Sequence, residues 1–387
     1  MELTQFIKEN QINNFESLKI ILESSPYNLK IKEDEYYPNL FLIHTNQNSD
    51  FKLKIVNECN GIILEKNTLK IVCYTFDKCI DQDNIPENIN MEDLYFEYSL
   101  ESTLIRAFYY NDEWVLSTKK CINARRAKWL SSKNFVELFF DYIDIQNYDI
   151  FQKLNTSYCY SFLITHPENN IVVQYLEPCI YHISTRDMNT MKEIDENIGL
   201  NKLIRIKINQ DNLNLMISQI SIDNNLNYEG ILFIDSNYNR WKVKSPLFSY
   251  VRSLWGNSNN RFFRYLELRK DSNLLKEYVK YYPQDKDVFM NYENKVIHLA
   301  NNLLKYYTDK HIKKMKEKVP YYFAKIIYEL HGEYLKSRVI TDYNKVMLKL
   351  LSLDAKKLCY MFNQHEKYEI ELNNMMDETD NNEISTL

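Results

Sequence analysis

Apolar positions recur with a period of about two in the first two thirds of the chain and of three to four in the last third. Short β-branched and aromatic runs at Leu94 to Ser99, Leu104 to Tyr110, Trp114 to Thr118, Tyr158 to Ile164, Ile171 to Tyr175 and Ile180 to Ile183 read as strands. FLIH (Phe41 to His44), KLKIV from Lys52, GIIL from Gly61 and KIVCYTF from Lys70 read the same way, and Asn88 to Glu92 reads as a polar loop. Helical spacing marks Phe15 to Glu23, Lys133 to Tyr142 and Asp211 to Ile220. Hairpin-length links outnumber crossover helices, so the pattern predicts an α+β domain with an antiparallel sheet over residues 1–255. After Gly256 the pattern turns helical, with stripes at Ile297, Ala300, Leu304 and Tyr307 and at Met347, Leu351, Ala355, Leu358 and Phe362, broken at Pro283 and Pro320. A helical C-terminal domain is expected over 256–368, and the acidic, Asn-rich 369–387 is expected to be disordered.

One stretch joins strand pattern to charge. Glu229 to Pro246, EGILFIDSNYNRWKVKSP, reads as a hairpin: Ile231 to Ile234 is apolar, Ser236 to Asn239 is turn chemistry, and Arg240 to Lys244 alternates basic with apolar. An even loop centred on Asn237-Tyr238 would set Phe233 opposite Lys242 and Ile231 opposite Lys244, with Glu229 on the face of both lysines. An odd loop breaks that phase. One acidic and two basic groups on an otherwise apolar face suit a phosphorylated ligand.

Composition narrows the classes. The chain has 387 residues and formal net charge -5, which suits two domains and argues against a protein that coats nucleic acid non-specifically. No apolar run approaches the roughly 18 residues of a membrane helix, and MELTQFIKENQ lacks the basic-then-apolar order of a secretory signal. The seven cysteines are spread without a CxxC pair, as expected of reduced cytoplasmic thiols, and zinc-ligand spacing is lacking. Each of the five glycines is isolated, which excludes a Walker loop and a dinucleotide fingerprint. His166, His182, His298, His311, His331 and His365 are scattered and unpaired along the chain. What remains is the Glu229/Lys242/Lys244 hairpin, Lys78 in TFDK, Lys119-Lys120 in STKK and Arg186-Asp187 in STRD, any one of which alone reads as a solvated face.

The order of these pieces resembles the covalent nucleotidyltransferases, and most closely the RNA ligase 1 family typified by the bacteriophage T4 tRNA-repair enzyme. NECNGIILE is similar to the family's ECRGI segment, TFDKCID to its basic Phe-Phe-Asn segment, and STKKCI to the basic motif after the nucleophile. SFLITHPENNIVVQY resembles the FE strand followed by PxNRIV, and EGILF and WKVKS match the EG and KxK motifs. The matches run collinearly over about 55–250. The resemblance implies an antiparallel-sheet, ligase-type nucleotidyltransferase domain followed by an all-helical domain. It also implies use of ATP and Mg2+, with RNA or nucleotide as the bound partner. On matching positions it assigns Lys242 and Lys244 to the α-phosphate, Glu229 to nucleotide and metal placement, and Lys119 and Lys78 to phosphate or RNA.

The departures fall on the chemistry. EYSLESTLIRAFY stands where the family carries KxDG, which puts Ser99 at the nucleophile, Glu101 at the aspartate and Ser102 at the glycine. Asn60 replaces the arginine of ECRGI, and Phe162 stands where the glutamate of the FE strand is expected. A serine cannot form the phosphoramidate of a lysyl-adenylate. The expectation is therefore a fold kept without the covalent first step, binding nucleotide or RNA ends. Two alternatives stand beside it: an active RNA ligase using another lysine, such as Lys119 or Lys120, or pre-adenylylated RNA; and a structural or interaction protein with a protein partner. The basic run Lys310 to Lys318 is a further candidate RNA surface, weighed against a plain solvated helix face.

Overall fold

The computed structural model describes residues 1–81, 93–316 and 318–384, with side chains up to residue 371 apart from those of residues 80, 81 and 210. The chain divides into two compact units, Met1–Arg252 and Ser253–Leu387. The expected loop at Asn88 to Glu92 lies outside the described residues.

The first unit holds three sheets. β1 (Lys30–Glu33), β2 (Leu40–His44), β3 (Ile62–Glu65) and β4 (Ile71–Cys73) form an antiparallel sheet in that order. The remaining strands, in chain order, are β5 (Ile80–Asp81), β6 (Leu94–Ser99), β7 (Thr103–Tyr110), β8 (Glu113–Ser117), β9 (Tyr158–Thr165), β10 (Cys179–Asp187), β11 (Glu193–Ile194), β12 (Ile206–Ile208), β13 (Gly230–Ile234) and β14 (Arg240–Lys244). They build a second sheet of order β11-β10-β9-β7-β8 and a third of order β12-β6-β13-β14-β5. Only the β14–β5 pair is parallel among the described strands. The fold is thus α+β with antiparallel sheets followed by a helical region.

Two expected strands are not strands. KLKIV contributes instead to a short helix, Lys54–Glu58, whose Ile55 and Val56 are buried. Ile171 to Tyr175 forms no ladder, because the Glu101 carboxylate takes the N–H groups of Ile171, Val172 and Val173 at 3.3, 2.7 and 2.9 Å. With those donors satisfied by a side chain, no neighbouring strand is needed to pair them. The helix Phe135–Ile145 starts at a full capping box, in which Asn134 and Glu137 satisfy each other's backbone N–H groups.

The hairpin loop is odd. Gly230 pairs with Lys244, Leu232 with Lys242 and Ile234 with Arg240, leaving the five residues 235–239 in the loop. The Asp235 carboxylate sets this length, accepting from the backbone N–H groups of Asn237 and Asn239 and from the Asn239 amide. The even register that would oppose Phe233 to Lys242 is therefore replaced. Apolar now meets apolar: Phe233 stacks on Trp241 at 4.7 Å, and Ile231 faces Val243. These four pack with Leu213 and Ile220 of the helix Gln210–Ile222, each burial contributing about 1.5–3 kcal/mol.

The second unit is helical. In its longest fully described helix, Lys286–Tyr307, the buried stripe is Val296, Leu299, Ala300, Leu303 and Tyr307, so Ile297 and Leu304 lie at its margin. The segment 369–387, expected to be disordered, enters the helix Ala355–Ile384, and its first residue, Glu369, is hydrogen-bonded to other side chains of the unit.

Candidate functional site

The odd register takes Glu229 out of phase with the two lysines along the ladder, and it puts Ser99 and Glu97 of the neighbouring strand on the lysines' face. Ser99 stands opposite Gly230, which stands opposite Lys244; Glu97 stands opposite Leu232, which stands opposite Lys242. Since residues facing one another across a ladder share a face, Ser99, Glu97, Lys242 and Lys244 all project away from the Trp241 core, as does Arg240. Glu229 joins them from beyond the strand end. Its N–H donates to the Ser99 carbonyl at 2.7 Å, and its carbonyl accepts from Ser245 N–H at 3.0 Å. Glycine is required next to it, because a Cβ on Gly230 would lie 2.2 Å from the Val243 carbonyl oxygen.

Side chains converge there. Lys242 Nζ donates to Glu229 Oε2 at 2.8 Å, Lys244 Nζ lies 3.9 Å from Oε1, and the Ser99 hydroxyl donates to Oε2 at 3.4 Å. Lys119 approaches from the turn after β8 and lies with its ammonium 4.7 Å from the Phe76 ring centroid, on which the Arg240 guanidinium also packs at 4.5 Å. Burial pushes the half-buried Lys119 amine down to about 8, helped by the positive charges of Arg106, Arg240 and Lys242.

Arg106 builds the Lys119 turn. Only 1% exposed, it donates to the carbonyls of Gly61 and Thr118. Gly61 has φ +102°, and a Cβ there would fall 2.9 Å from Lys119 Cα, so glycine permits the backbone of ECNGI to lie against STKK. Arg106 and Phe76 are absent from the sequence-derived set. The available signal for Arg106 was a lone cation in the apolar run TLIRAFYY. Glu193, also missed, is 2% exposed and holds Arg186 at 3.2 Å and Arg240 through both guanidinium nitrogens.

A cleft of about 710 Å3 opens beside these groups, lined by Ser102, Lys119, Lys120, Trp129, Phe135, Glu229, Phe248 and Arg252 among others. Its cations Lys32, Lys119, Lys120, Arg126 and Arg252 outnumber its carboxylates, Glu101 and Glu229, which suits a phosphorylated ligand. Its aromatic side chains offer apolar wall for a base.

Of the assigned positions Lys119 and Glu229 line the cleft, Lys242 and Lys244 stand behind Glu229 outside its lining, and the Lys78 ammonium sits 3.4 Å over the Phe51 ring. Arg186 is a structural staple, bonded to the carbonyls of Thr75 and Met191. Phe162 is fully buried and packs on Phe139 at 5.5 Å, so no carboxylate occupies that strand position. Asn60 accepts from the Thr45 hydroxyl at 3.1 Å. In the run Lys310 to Lys318, Lys313 is paired with Asp309 at 2.8 Å.

No family model matches the chain. It is similar to an immediate-early protein ICP-46 homolog of Invertebrate iridescent virus 3, at 25% identity over 68% of this chain and 62% of that protein. It is also similar to an RNA ligase of Rhodothermus phage RM378, at 27% identity over 47% of this chain and 48% of that one. A putative bifunctional polynucleotide kinase/RNA ligase of Autographa californica nuclear polyhedrosis virus is 26% identical over 42% of this chain and 26% of its own length. The chain thus spans less than two thirds of each of these curated relatives. Among solved structures, an archaeal ATP-dependent RNA ligase aligns with TM-score 0.43 and 12% identity over 75% of this chain and 81% of that one. A putative ATP-dependent DNA ligase from Aquifex aeolicus aligns with TM-score 0.40 and 11% identity over 82% and 87%.

In sequence the chain is thus similar to viral proteins, two of which are named RNA ligase or polynucleotide kinase/RNA ligase. Among its described residues, no helix is long and apolar enough to cross a membrane.

Proposed function

We propose that this chain binds a nucleotide or the phosphorylated end of an RNA in the cleft beside Lys119, Lys242 and Glu229, without forming a lysyl-adenylate. The observation that carries this reading is Ser99, whose hydroxyl faces Glu229 where the resemblance expects the attacking amine. A hydroxyl could form only an ester there, and the one carboxylate it touches is already held by Lys242 and approached by Lys244.

The remaining groups suit phosphate. Lys242 and Lys244 would meet the α-phosphate, with Lys119 beside them. Glu229 fits as the single carboxylate that, with the ligand's own phosphates, would hold Mg2+, the usual way that ion is shared. The ion would supply charge neutralisation at the phosphates. None of the seven cysteines is in a disulfide, which supports the reading of a reducing, cytoplasmic setting.

A second reading has an observation of its own. Lys119, with its amine pushed down to about 8, is neutral more often near neutral pH than an ordinary lysine, as an amine nucleophile requires. In that case the chain is an ATP-dependent ligase with a displaced nucleophile.

Binding is tested by titrating 5′-phosphorylated single-stranded RNA against salt. Phosphate contacts give a log-log slope of about -0.7 each, and Lys242→Ala is expected to remove roughly one such increment. A slope unchanged by Lys242→Ala, or no binding at low salt, overturns the assignment.

A further inference from the structure

Two of the histidines scattered along the sequence are brought together by the fold. In the helical unit, His298 of the helix Lys286–Tyr307 meets His365 and Glu369 of the helix Ala355–Ile384. The Glu369 Oε1 atom lies 2.7 Å from His298 Nε2 and 3.2 Å from His365 Nε2, and all three atoms lie within 4.8 Å of one another. His365 and Glu369 are four residues apart, so one face of one helix supplies two of the groups.

The surroundings aim these groups. The Tyr322 hydroxyl lies 3.1 Å from His365 Nδ1, which leaves Nε2 as the atom turned to the cluster. The Asn302 amide nitrogen, one turn after His298, lies 2.8 Å from His365 Nε2, 3.1 Å from His298 Nε2 and 3.3 Å from Glu369 Oε1, so this side chain must turn aside for an ion to enter. The nearby pair Lys295–Glu366, at 2.7 Å, joins the same two helices without using any of these groups. His365 is buried, while the His298 side chain is 59% exposed, so solvent reaches one side.

From this geometry we infer that His298, His365 and Glu369 form a binding site for one divalent transition-metal ion of the zinc class, which clamps the two helices together. Two imidazoles, one carboxylate and an open fourth position are a donor set that zinc accepts, and tetrahedral bonds of 2.0–2.2 Å set ligand atoms roughly 3.3–3.5 Å apart. The Glu369 carboxylate oxygen, at 2.7 and 3.2 Å from the two imidazole nitrogens, sits slightly inside that spacing, so small side-chain rotations that move the donors apart would admit the ion. The second group of this kind among the described residues, Asp141, His166 and Glu168, is unlike it: Lys133 already occupies both of its carboxylates at 2.7 and 3.2 Å. This site is independent of the nucleotide cleft.

The test uses the full chain, stripped with chelator and dialysed, titrated with Co2+ as a spectroscopic probe and with Zn2+ in thermal unfolding. The expected result is one Co2+ per chain with visible d–d absorption, without the charge-transfer band that cysteine ligation gives, and a rise in Tm with Zn2+. His298→Ala, at an exposed side chain, should lower Co2+ affinity at least about tenfold with unchanged circular dichroism, and Tyr322→Phe about tenfold through the lost orientation. Absence of the d–d band, a band carrying thiolate character, or an affinity unmoved by His298→Ala each overturns the proposal.

Discussion

The Ser99 hydroxyl lies 3.4 Å from Glu229 Oε2, and that same oxygen holds the Lys242 ammonium at 2.8 Å. Glu229 thus keeps Lys242 occupied until an anion competes for it. Glu229→Gln should release that lysine, so inorganic tripolyphosphate in metal-free buffer binds several-fold more tightly. Lys242→Ala should weaken the same binding by roughly tenfold, the scale of one charge-assisted hydrogen bond. Calorimetric titration of the two variants checks both signs.

Lys119 gives a pH signature. Its folded value of about 8 lies below the ordinary lysine value of 10.5, so the folded chain releases this proton more readily than the unfolded one. The resulting penalty is complete below about 8 and is relieved as pH rises from about 8 towards 10.5. Lys119→Met should therefore stabilise the chain by ~1–3 kcal/mol at neutral pH, with the gain fading from about pH 8 and gone near 10.5. Urea unfolding across that range reads it directly. Competitive acylation should place the Lys119 midpoint near 8, and Lys242→Met should raise it by roughly half a unit to one unit, because one repelling cation is gone.

Glu101 anchors the segment that connects β9 to β10. One of its oxygens accepts all three N–H groups of Ile171, Val172 and Val173. Glu101→Ala should cost roughly 2–4 kcal/mol, and Glu101→Gln about 1 kcal/mol, because the amide keeps an acceptor without the charge. Amide hydrogen exchange at Ile171, Val172 and Val173 should quicken in the alanine variant and change little in the glutamine one.

Glu193 ties the second sheet to the third. It pairs with Arg186 on β10 and Arg240 on β14, and its side chain is 2% exposed. Glu193→Ala leaves two partly buried guanidiniums without their acceptor, for an expected loss of about 3–5 kcal/mol. Arg240→Met removes one partner and should cost less than Glu193→Ala. Chemical denaturation of both variants orders them.

What could be read from the chain was whatever repeats locally. The period-two runs at Leu94 to Ser99 and Tyr158 to Ile164 and the helical spacing at Phe15 to Glu23 appear as elements with nearly the same bounds. The hairpin was legible as a hairpin, but its register was not, because loop parity depends on how the Asp235 carboxylate folds the turn. The same limit applies to Ile171 to Tyr175. Its composition is that of a strand, and only a glutamate seventy positions away explains why it pairs with nothing. Glu229, Lys242 and Lys244 could be assigned together from motif order. Arg106, Phe76 and Glu193 could not, since each acts through partners brought near only by the folded sheets.

The account turns on whether a covalent nucleotide forms. Incubation of the full chain with α-labelled ATP and Mg2+, followed by denaturing electrophoresis, measures this directly. The expected result is no retained label, in the parent chain and in Ser99→Ala alike, while ATP still raises the Tm of both. A label that survives denaturation and disappears in Lys119→Ala would contradict the account and establish Lys119 as the nucleophile.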